Sequence, residues 1–316
     1  MASADFESLH EELVRQFVAD GVLPAPAGAI QPILKGDPED IVADSGTKSL
    51  LLDPAGVPAA VLMVSNDVNP HLMKRTADNA AAAKALLGPA LGGVVLEPLA
   101  SDYLRGLSYV LWPWASPLSE RRVLRYFQRR ALGPGVVRWL REAARGTCRE
   151  LTAQDTQSAF ALPLEAMSKD GRFPQAMQSA AETGLERLRS GEWRPMAALQ
   201  HGDFSFENLL LRRRAPGPSQ GAWRFHVIDW GGANLRGYPF QDLVWFVRGS
   251  KISPRAVGGE LRATCGVFAC EPKDVLHYLL AGLAATGMHL EHFPEYRYLR
   301  ASTGVFAYAS RMLGEG

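Results

Sequence analysis

One short segment constrains this chain more than any other part of the sequence. It reads His201-Gly202-Asp203-Phe204-Ser205-Phe206-Glu207-Asn208. An apolar stretch, Met196 to Gln200, precedes it and Leu209 to Leu211 follows it, so both flanks have the composition of short strands. Asp203 and Asn208 are therefore predicted to bracket a single turn, which presents a carboxylate and a carboxamide close together.

A second carboxylate follows on the next predicted strand. After the turn-forming residues 215–221, the chain returns as Trp223 to Trp230, which predicts a hairpin with Asp229 at its far end. Because side chains alternate along a strand, Asp229 is expected on the same face as the apolar residues of that strand. A hard cation explains an acid in this place, since Mg²⁺ prefers carboxylate and carboxamide oxygens.

Two acids and an amide at this spacing are the groups that a metal-nucleotide phosphotransferase uses. In such a site one Asp accepts the proton of the attacking hydroxyl, and an Asn five residues later holds a Mg²⁺ ion. An Asp at the end of a nearby strand bridges metal and phosphates. Asp203, Asn208 and Asp229 are the candidates for these roles. The alternative is that both acids only form turns, and His201 is predicted to brace the loop.

The segments HGDFSFENLL, VIDW and Gly237-Tyr238-Pro239-Phe240-Gln241-Asp242 together resemble the aminoglycoside phosphotransferase and choline kinase group of protein-kinase-like proteins. The resemblance covers about residues 199–246. It implies Asp203 as the catalytic base, Asn208 and Asp229 as metal ligands, and Asp242 as the acid that holds the catalytic loop. Mg²⁺ and ATP or GTP are the cofactors that it implies.

The resemblance also implies a two-lobed α+β fold. An N-terminal lobe, residues 1–114, is expected to consist of an antiparallel sheet with a helix and to bind the nucleotide. A mainly helical C-terminal lobe, residues 115–316, is expected to carry the catalytic hairpin and the acceptor pocket. Short strands are predicted at 41–42, 50–52 and 59–64, after an amphipathic helix over 6–19.

Within the N-terminal lobe the resemblance assigns two nucleotide contacts. The segment Gly46-Thr47-Lys48-Ser49 would be the loop over the phosphates, where Gly46 allows close approach of the backbone and Lys48 and the amides meet anionic oxygens. The strand 108–114 would be the hinge beside adenine. Because Pro113 has no N–H, Trp112 or Trp114 must supply any backbone donor there, and either ring also suits base stacking or the core.

One position departs from the pattern of the group. The third strand of kinase-like proteins carries a Lys that pairs with the phosphates and with a Glu on the next helix. Met63 stands in that place, and the helix predicted at about 70–87 offers Asp78 or Asn79 instead of Glu. Either Lys48 or Lys74 supplies the missing charge, or the protein is a pseudokinase that binds nucleotide or a partner without transfer.

Composition limits the partners of the chain. A net charge of +1 gives no global attraction to nucleic acid or to a membrane surface. The first residues lack the basic and apolar order of a secretory signal, and no apolar run reaches membrane-spanning length. A cytoplasmic protein without a membrane span is therefore expected.

The acceptor is left open between several hydroxyl compounds. Nine arginines lie between Arg121 and Arg149, and their helical spacing indicates either a solvated surface or a site for an anionic acceptor. No nucleic acid is expected, because the net charge of +1 provides no global attraction to it. A sugar, a glycan precursor and an aminoglycoside-like compound are the candidate acceptors. The last of these is disfavoured because residues 251–316 are not conspicuously acidic.

Overall fold

The computed structural model describes residues 3–23, 30–34, 46–212, 223–250, 252–290 and 294–314. The helices there are α1 (Ser3–Ala19), α2 (Leu72–Gly92), α3 (Arg122–Thr147), α4 (Ala153–Thr156), α5 (Leu162–Lys169), α6 (Gln175–Ser190), α7 (Gln241–Gly249), α8 (Pro254–Val267), α9 (Asp274–Gly287) and α10 (Glu295–Gly314). The strands are β1 (Ile30–Leu34), β2 (Thr47–Leu52), β3 (Pro58–Val64), β4 (Ala100–Leu104), β5 (Leu107–Pro113), β6 (Ser116–Pro117), β7 (Arg149–Glu150), β8 (Met196–Gln200), β9 (Leu209–Leu211), β10 (Phe225–Val227) and β11 (Asn234–Gly237).

The first five strands form an antiparallel sheet in the order β1-β2-β3-β5-β4. Side chains alternate along β3, so Leu62 and Val64 pack with Leu13 and Phe17 of α1 on one face. Met63 points to the other face, where it packs against the main core. The sheet therefore separates α1 from the interior of the molecule.

Helix α2 is fixed to that inner face by a pair of buried hydroxyls. The backbone N–H of Met73 donates to Ser65 Oγ and Ser108 Oγ, each at 3.1 Å, and the two hydroxyl oxygens lie 2.6 Å apart. One of the free N–H groups of the first helical turn is thereby satisfied. The start of α2 is thus tied to the ends of β3 and β5.

Beyond Pro113 the described residues are mainly helical and enclose the largest apolar core. Helix α9 is buried on nearly all sides, as its continuous apolar sequence requires. Two small sheets, β10-β9-β6 and β11-β8-β7, lie against these helices. They carry the segments that precede and follow residues 201–208.

The predicted α+β fold, with an antiparallel N-terminal sheet and a helical C-terminal part, is confirmed. The hairpin is also confirmed, since Val227 pairs with Leu209 and Phe225 with Leu211 in an antiparallel register. The strand predicted at 41–42 lies outside the described residues, and the first described strand is β1. The lobe boundary between residues 114 and 115 stays a prediction. None of the described helices has the length and apolar character needed to cross a bilayer.

A pair of glycine variants tests the contact between β2 and β3. Gly46 has φ +85°, and a Cβ there would lie 2.0 Å from the carbonyl oxygen of Val64. Gly56 has a similar φ of +78°, but a Cβ on this residue would have no atom within 4 Å. Both alanine variants carry the left-handed backbone cost of about 1–2 kcal/mol, and Gly46→Ala adds about 1–3 kcal/mol of overpacking. In urea unfolding, the free energy of unfolding of Gly46→Ala should therefore be clearly lower than that of Gly56→Ala. Equal stabilities would contradict the contact.

Candidate active site

The turn after β8 holds Asp203 through the side chain of Asn208. Asn208 Nδ2 donates to the carbonyl oxygen of Asp203 at 2.8 Å and to its Oδ2 at 3.1 Å. Because both contacts require a donor, they fix the orientation of the amide and leave Asn208 Oδ1 for another partner. Phe204 and Phe206 of the same turn are buried against Phe246 of α7, which anchors the turn in the core.

Asp229 is brought beside this turn by two hydrogen bonds of its neighbour Ile228. The amide of Ile228 donates to the carbonyl oxygen of Asn208 at 3.1 Å, and His201 Nε2 donates to the carbonyl oxygen of Ile228 at 2.8 Å. The three residues predicted from the sequence thus lie on two loops that contact each other. Asn208 is buried, whereas Asp203 and Asp229 are exposed.

The backbone of Asp229 corrects one sequence inference. Strand β10 ends at Val227, and Asp229 has φ 65° and ψ 59°, so it does not continue the apolar face of the strand. A residue other than glycine in the left-handed region is uncommon and is found disproportionately at functional sites. This conformation releases the carboxylate from the sheet, and it makes no hydrogen bond or ion pair to any described residue.

Asp242 holds the backbone that leads into the turn. Its Oδ2 accepts from the amide of His201 at 2.5 Å, and its Oδ1 accepts from the amide of Gly202 at 3.0 Å. Burial raises the pKa of Asp242, while the two amide hydrogen bonds and the nearby His201 act in the opposite direction. Since His201 Nε2 donates to Ile228, its Nδ1 is the acceptor for the Asp203 amide at 3.4 Å.

Sequence reasoning missed a close backbone contact between the two loops. Gly202 has φ +89°, and a Cβ there would lie 2.5 Å from the carbonyl oxygen of Gly232. No side chain fits between the loops at this point. The signal was present in the sequence as a glycine beside Asp203 and a Gly231-Gly232 pair beside Asp229.

A second contact that the sequence did not reveal joins α2 to the loop after Asp229. Asn79 Nδ2 donates to the carbonyl oxygens of Trp230 at 3.0 Å and Gly231 at 3.4 Å. Thr76 Oγ1 would lie 2.9 Å from a Cβ on Gly231, so this glycine is needed for the approach of the helix. Asn79, which stands where kinase-like proteins carry a Glu on this helix, therefore forms hydrogen bonds with the backbone of the loop.

Lys48 and Met63 face each other across neighbouring strands. They are direct partners in the antiparallel register of β2 and β3, so their side chains project to the same face. Lys48 makes no hydrogen bond or ion pair to any described residue. Lys74, the other candidate for the missing charge, forms an ion pair with Asp78 on α2.

Thr47 and Ser49 belong to the segment predicted to lie over the phosphates, and the structure places both of their hydroxyls against His10. Thr47 Oγ1 lies 3.0 Å from His10 Nε2, and Ser49 Oγ lies 2.8 Å from His10 Nδ1. His10 belongs to α1, on the outer face of the sheet, and burial lowers its pKa. Alternation along β2 is the physical reason, because Lys48 takes the inner face and its two neighbours the outer one.

The other residues predicted to contact the nucleotide make contacts within the protein, and their role toward a nucleotide stays a prediction. The positive φ of Gly46 is accounted for by its contact with Val64 of β3, without a nucleotide. The Trp114 amide donates to the carbonyl oxygen of Ala59 at 3.0 Å, so it is not free for adenine. The side chain of Trp112 is 6% exposed and belongs to the main core, which leaves no open ring face for stacking.

The oxygen atoms on the two loops fit a hard divalent cation. Asn208 Oδ1 and the carboxylate of Asp229 are the available protein ligands, and Asp203 lies beside them. Within the part of the chain that the structure describes, no three His, Cys, Asp or Glu side chains form a metal cluster. Mg²⁺ suits this set because it is bound by one or two carboxylates and completes its shell with phosphate oxygens and waters.

The structure is similar to several solved kinase structures along nearly its whole length. A choline/ethanolamine kinase family protein from Mesorhizobium loti has 16% identity and a TM-score of 0.51, with 96% of this chain and 98% of that chain covered. A putative fructosamine-3-kinase from Haemophilus somnus 129PT has 8% identity and a TM-score of 0.55, covering 94% of this chain and 96% of that chain. The choline kinase of Streptococcus pneumoniae has 12% identity and a TM-score of 0.50, covering 98% of this chain and 100% of that chain.

These similarities confirm the resemblance at the level of the fold, which is the protein-kinase-like fold of those structures. No protein-family model matches the sequence, and a search of curated proteins gives no match.

An Asp242→Asn variant tests the carboxylate that holds the backbone leading into the turn from Asp203 to Asn208. Asp242 uses a different oxygen for each of two amides, so Asn must place its NH₂ against one of them. We expect a loss of about 1–3 kcal/mol in the free energy of unfolding, the cost of a buried N–H without an acceptor. Asp53 is the matched control, because its Oδ1 alone accepts from Ala55 at 2.9 Å and Val57 at 2.8 Å and an Asn oxygen can replace it. Equal stabilities of the two variants in urea unfolding would contradict the assigned role.

Proposed function

We propose that this protein is a Mg²⁺-dependent phosphotransferase that moves the γ-phosphoryl group of ATP or GTP to a hydroxyl group of a small molecule. One observation carries the proposal: Asn208 binds the Asp203 carboxylate with its amide nitrogen while its backbone oxygen accepts from Ile228, next to Asp229. The same fold in structures described as kinases of choline, ethanolamine and fructosamine supports it.

The roles of the side chains follow from their contacts. Asp203 is exposed at the turn, and its carboxylate is oriented by Asn208 so that it can accept the proton of the acceptor hydroxyl. The acceptor oxygen then bonds to the γ-phosphorus, and the bond from that phosphorus to the bridging oxygen of the diphosphate breaks. Asn208 and Asp229 would hold Mg²⁺, which when bound neutralises charge on the phosphates.

We assign the missing strand cation to Lys48. Its side chain projects beside Met63, and directly opposed residues of an antiparallel pair have Cβ atoms about 4.5–5.5 Å apart. A lysine side chain is long enough to cover that separation and to place its ammonium group where the usual third-strand Lys would lie. Lys74 is already neutralised by Asp78, which favours Lys48 as the phosphate partner.

The second candidate function is a pseudokinase that binds nucleotide without transfer. Met63 and Asn79 favour it, because neither residue can form the Lys–Glu ion pair of active protein kinases. The retained Asp203, Asn208 and Asp229, together with the position of Lys48, favour transfer. Nucleotide binding without transfer or hydrolysis would separate the two functions.

Transfer itself is tested with γ-labelled ATP or GTP, Mg²⁺ and separate pools of sugars, glycan precursors and aminoglycosides. We expect label in a single pool and a fall in kcat of about 10²–10⁴-fold in Asp203→Asn, the range for removal of a general base. Asp155→Asn, at a half-buried acid in the first turn of α4, is the control and should leave kcat unchanged. Metal-dependent nucleotide binding without label in any pool and without hydrolysis would identify the pseudokinase.

The assignment of Lys48 is tested by comparing three lysine variants. Lys48→Ala should lower kcat by about 10²-fold or more, since a preorganised charge is lost from the transition state. Lys84→Ala, which removes a surface ion pair with Glu97, is the control. Lys74→Ala should stay within about threefold of the wild type, because an exposed ion pair contributes little. A larger loss in Lys74→Ala than in Lys48→Ala would reverse the assignment.

A further inference from the structure

A basic groove adjoins the candidate catalytic turn. It is an open cavity of about 780 Å³ between the first half of α3 and the segment that follows α7. Residues Arg122, Arg125, Tyr126, Arg129 and Arg130 line it from α3, and Phe206 lines it from the turn. No acidic residue is among the described residues that line this groove.

Most of the guanidinium groups in the groove make no ion pair with any residue that the structure describes. Arg122 and Arg130 make no ion pair or hydrogen bond to any described residue, and both are exposed. Arg125 donates to the carbonyl oxygen of Glu120 at 3.0 Å, a contact that leaves its positive charge uncompensated. These arginines lie close together on one face of α3, although like charges repel, so the groove has a strong positive potential.

Arg129 connects this charge to the catalytic turn. Its Nη2 lies 2.5 Å from Glu207 Oε1, and its guanidinium carbon lies 5.0 Å from the centre of the Phe206 ring. Its Nε is buried and has no hydrogen-bond partner among the described residues. Arg129 is thus held in a fixed place with one donor unsatisfied beside the groove.

The groove lies within reach of the reacting atoms of the proposed function. Phe206 is three residues from Asp203, and three extended residues span at most about 11 Å. A small molecule bound in the groove can therefore present a hydroxyl group to Asp203.

We propose that the groove binds the acceptor of the phosphoryl transfer and that this acceptor carries a phosphate group in addition to the hydroxyl. The inference rests on the proposed function. The planar guanidinium group of Arg matches phosphate oxygens in geometry and charge. The exposed ring of Tyr126 offers an apolar face for the carbon skeleton of the acceptor. The product then carries two phosphate groups, one from the acceptor and one from the nucleotide. A polycationic aminoglycoside is repelled from the same groove.

A phosphate group can also be presented by a lipid surface, but the geometry favours a free molecule. Val123, Leu124 and Phe127 are 70%, 49% and 60% exposed, and none of them lines the groove. A membrane contact through Val123 and Phe127 would meet Arg130, which lies on their stripe of α3, but not Arg125, which lies on nearly the opposite side of the helix.

The proposal is tested with matched acceptor pairs and charge-reversal variants. The pairs are ribose and ribose 5-phosphate, glucose and glucose 6-phosphate, and glycerol and glycerol 3-phosphate, each with γ-labelled ATP and Mg²⁺. We expect at least one ester to be phosphorylated with kcat/KM at least tenfold above that of its parent. The double variant Arg122→Glu/Arg130→Glu should abolish this preference. Arg145→Glu, on the same helix but outside the groove, should retain it.

Equilibrium binding separates a failure of this proposal from a failure of the proposed function. Titration of each ester without nucleotide should show binding that the double variant loses and that added salt weakens. Thermal unfolding of the double variant close to that of Arg145→Glu confirms that its fold is intact.

Three outcomes overturn the groove assignment. Transfer to parents and esters alike would overturn it while the proposed function stands, as would an ester preference that survives charge reversal. Binding to vesicles of anionic lipid, lost in Val123→Ser/Phe127→Ser, with no binding of any free ester, would assign the arginines to a lipid surface. If no acceptor is labelled although esters still bind through Arg122 and Arg130, the groove is an anion site and the transfer function fails.

Discussion

The buried carboxylate of Asp242 is the constraint on which the geometry of the site depends. It accepts from two consecutive amides, His201 and Gly202, so it fixes the direction in which the chain enters the turn from Asp203 to Asn208. Its position in the first turn of α7 favours a negative charge there, because the helix dipole is positive at that end. The same helix supplies Phe246, which packs against Phe204 and Phe206. One element thereby provides both the polar and the apolar anchor of the turn.

In the proposed function, Asn79 of α2 and Lys48 of β2 would share the two roles that one Lys–Glu ion pair has in protein kinases. There a Lys contacts the phosphates and its Glu partner sets the position of the helix. Here Asn79 ties α2 to the loop after Asp229 through two backbone carbonyls, without any charge. Lys48, on the neighbouring strand, has no carboxylate partner among the described residues, so it forms no ion pair with α2. In the proposed function this leaves the whole charge of Lys48 for the nucleotide.

The sequence predicted the parts of the structure that depend on local patterns. The strand Met196–Gln200 and the turn from Asp203 to Asn208 follow from apolar composition and turn chemistry, whereas the role of Asp242 was implied by the resemblance. The contacts of Thr47 and Ser49 with His10 were not predictable, because they depend on which face of the sheet α1 covers. The register that sets Lys48 opposite Met63 was not predictable either, because it depends on how the two strands pair. Helix α8 gave a weak signal, because Gly258, Gly259 and Gly266 interrupt its pattern.

The distribution of charge around the turn links the basic groove to the proposed transfer. In the proposed function, Asp203 and Asp229 lie between a nucleoside triphosphate and an acceptor that carries a phosphate group, so two carboxylates face two anionic ligands. At a separation of 6 Å and an effective dielectric constant near 20, two like charges repel by about 3 kcal/mol. The metal offsets this repulsion on the nucleotide side only. A phosphate-bearing acceptor therefore needs its own cations, and Arg122, Arg125 and Arg130 lie on the side of the turn where that acceptor would approach.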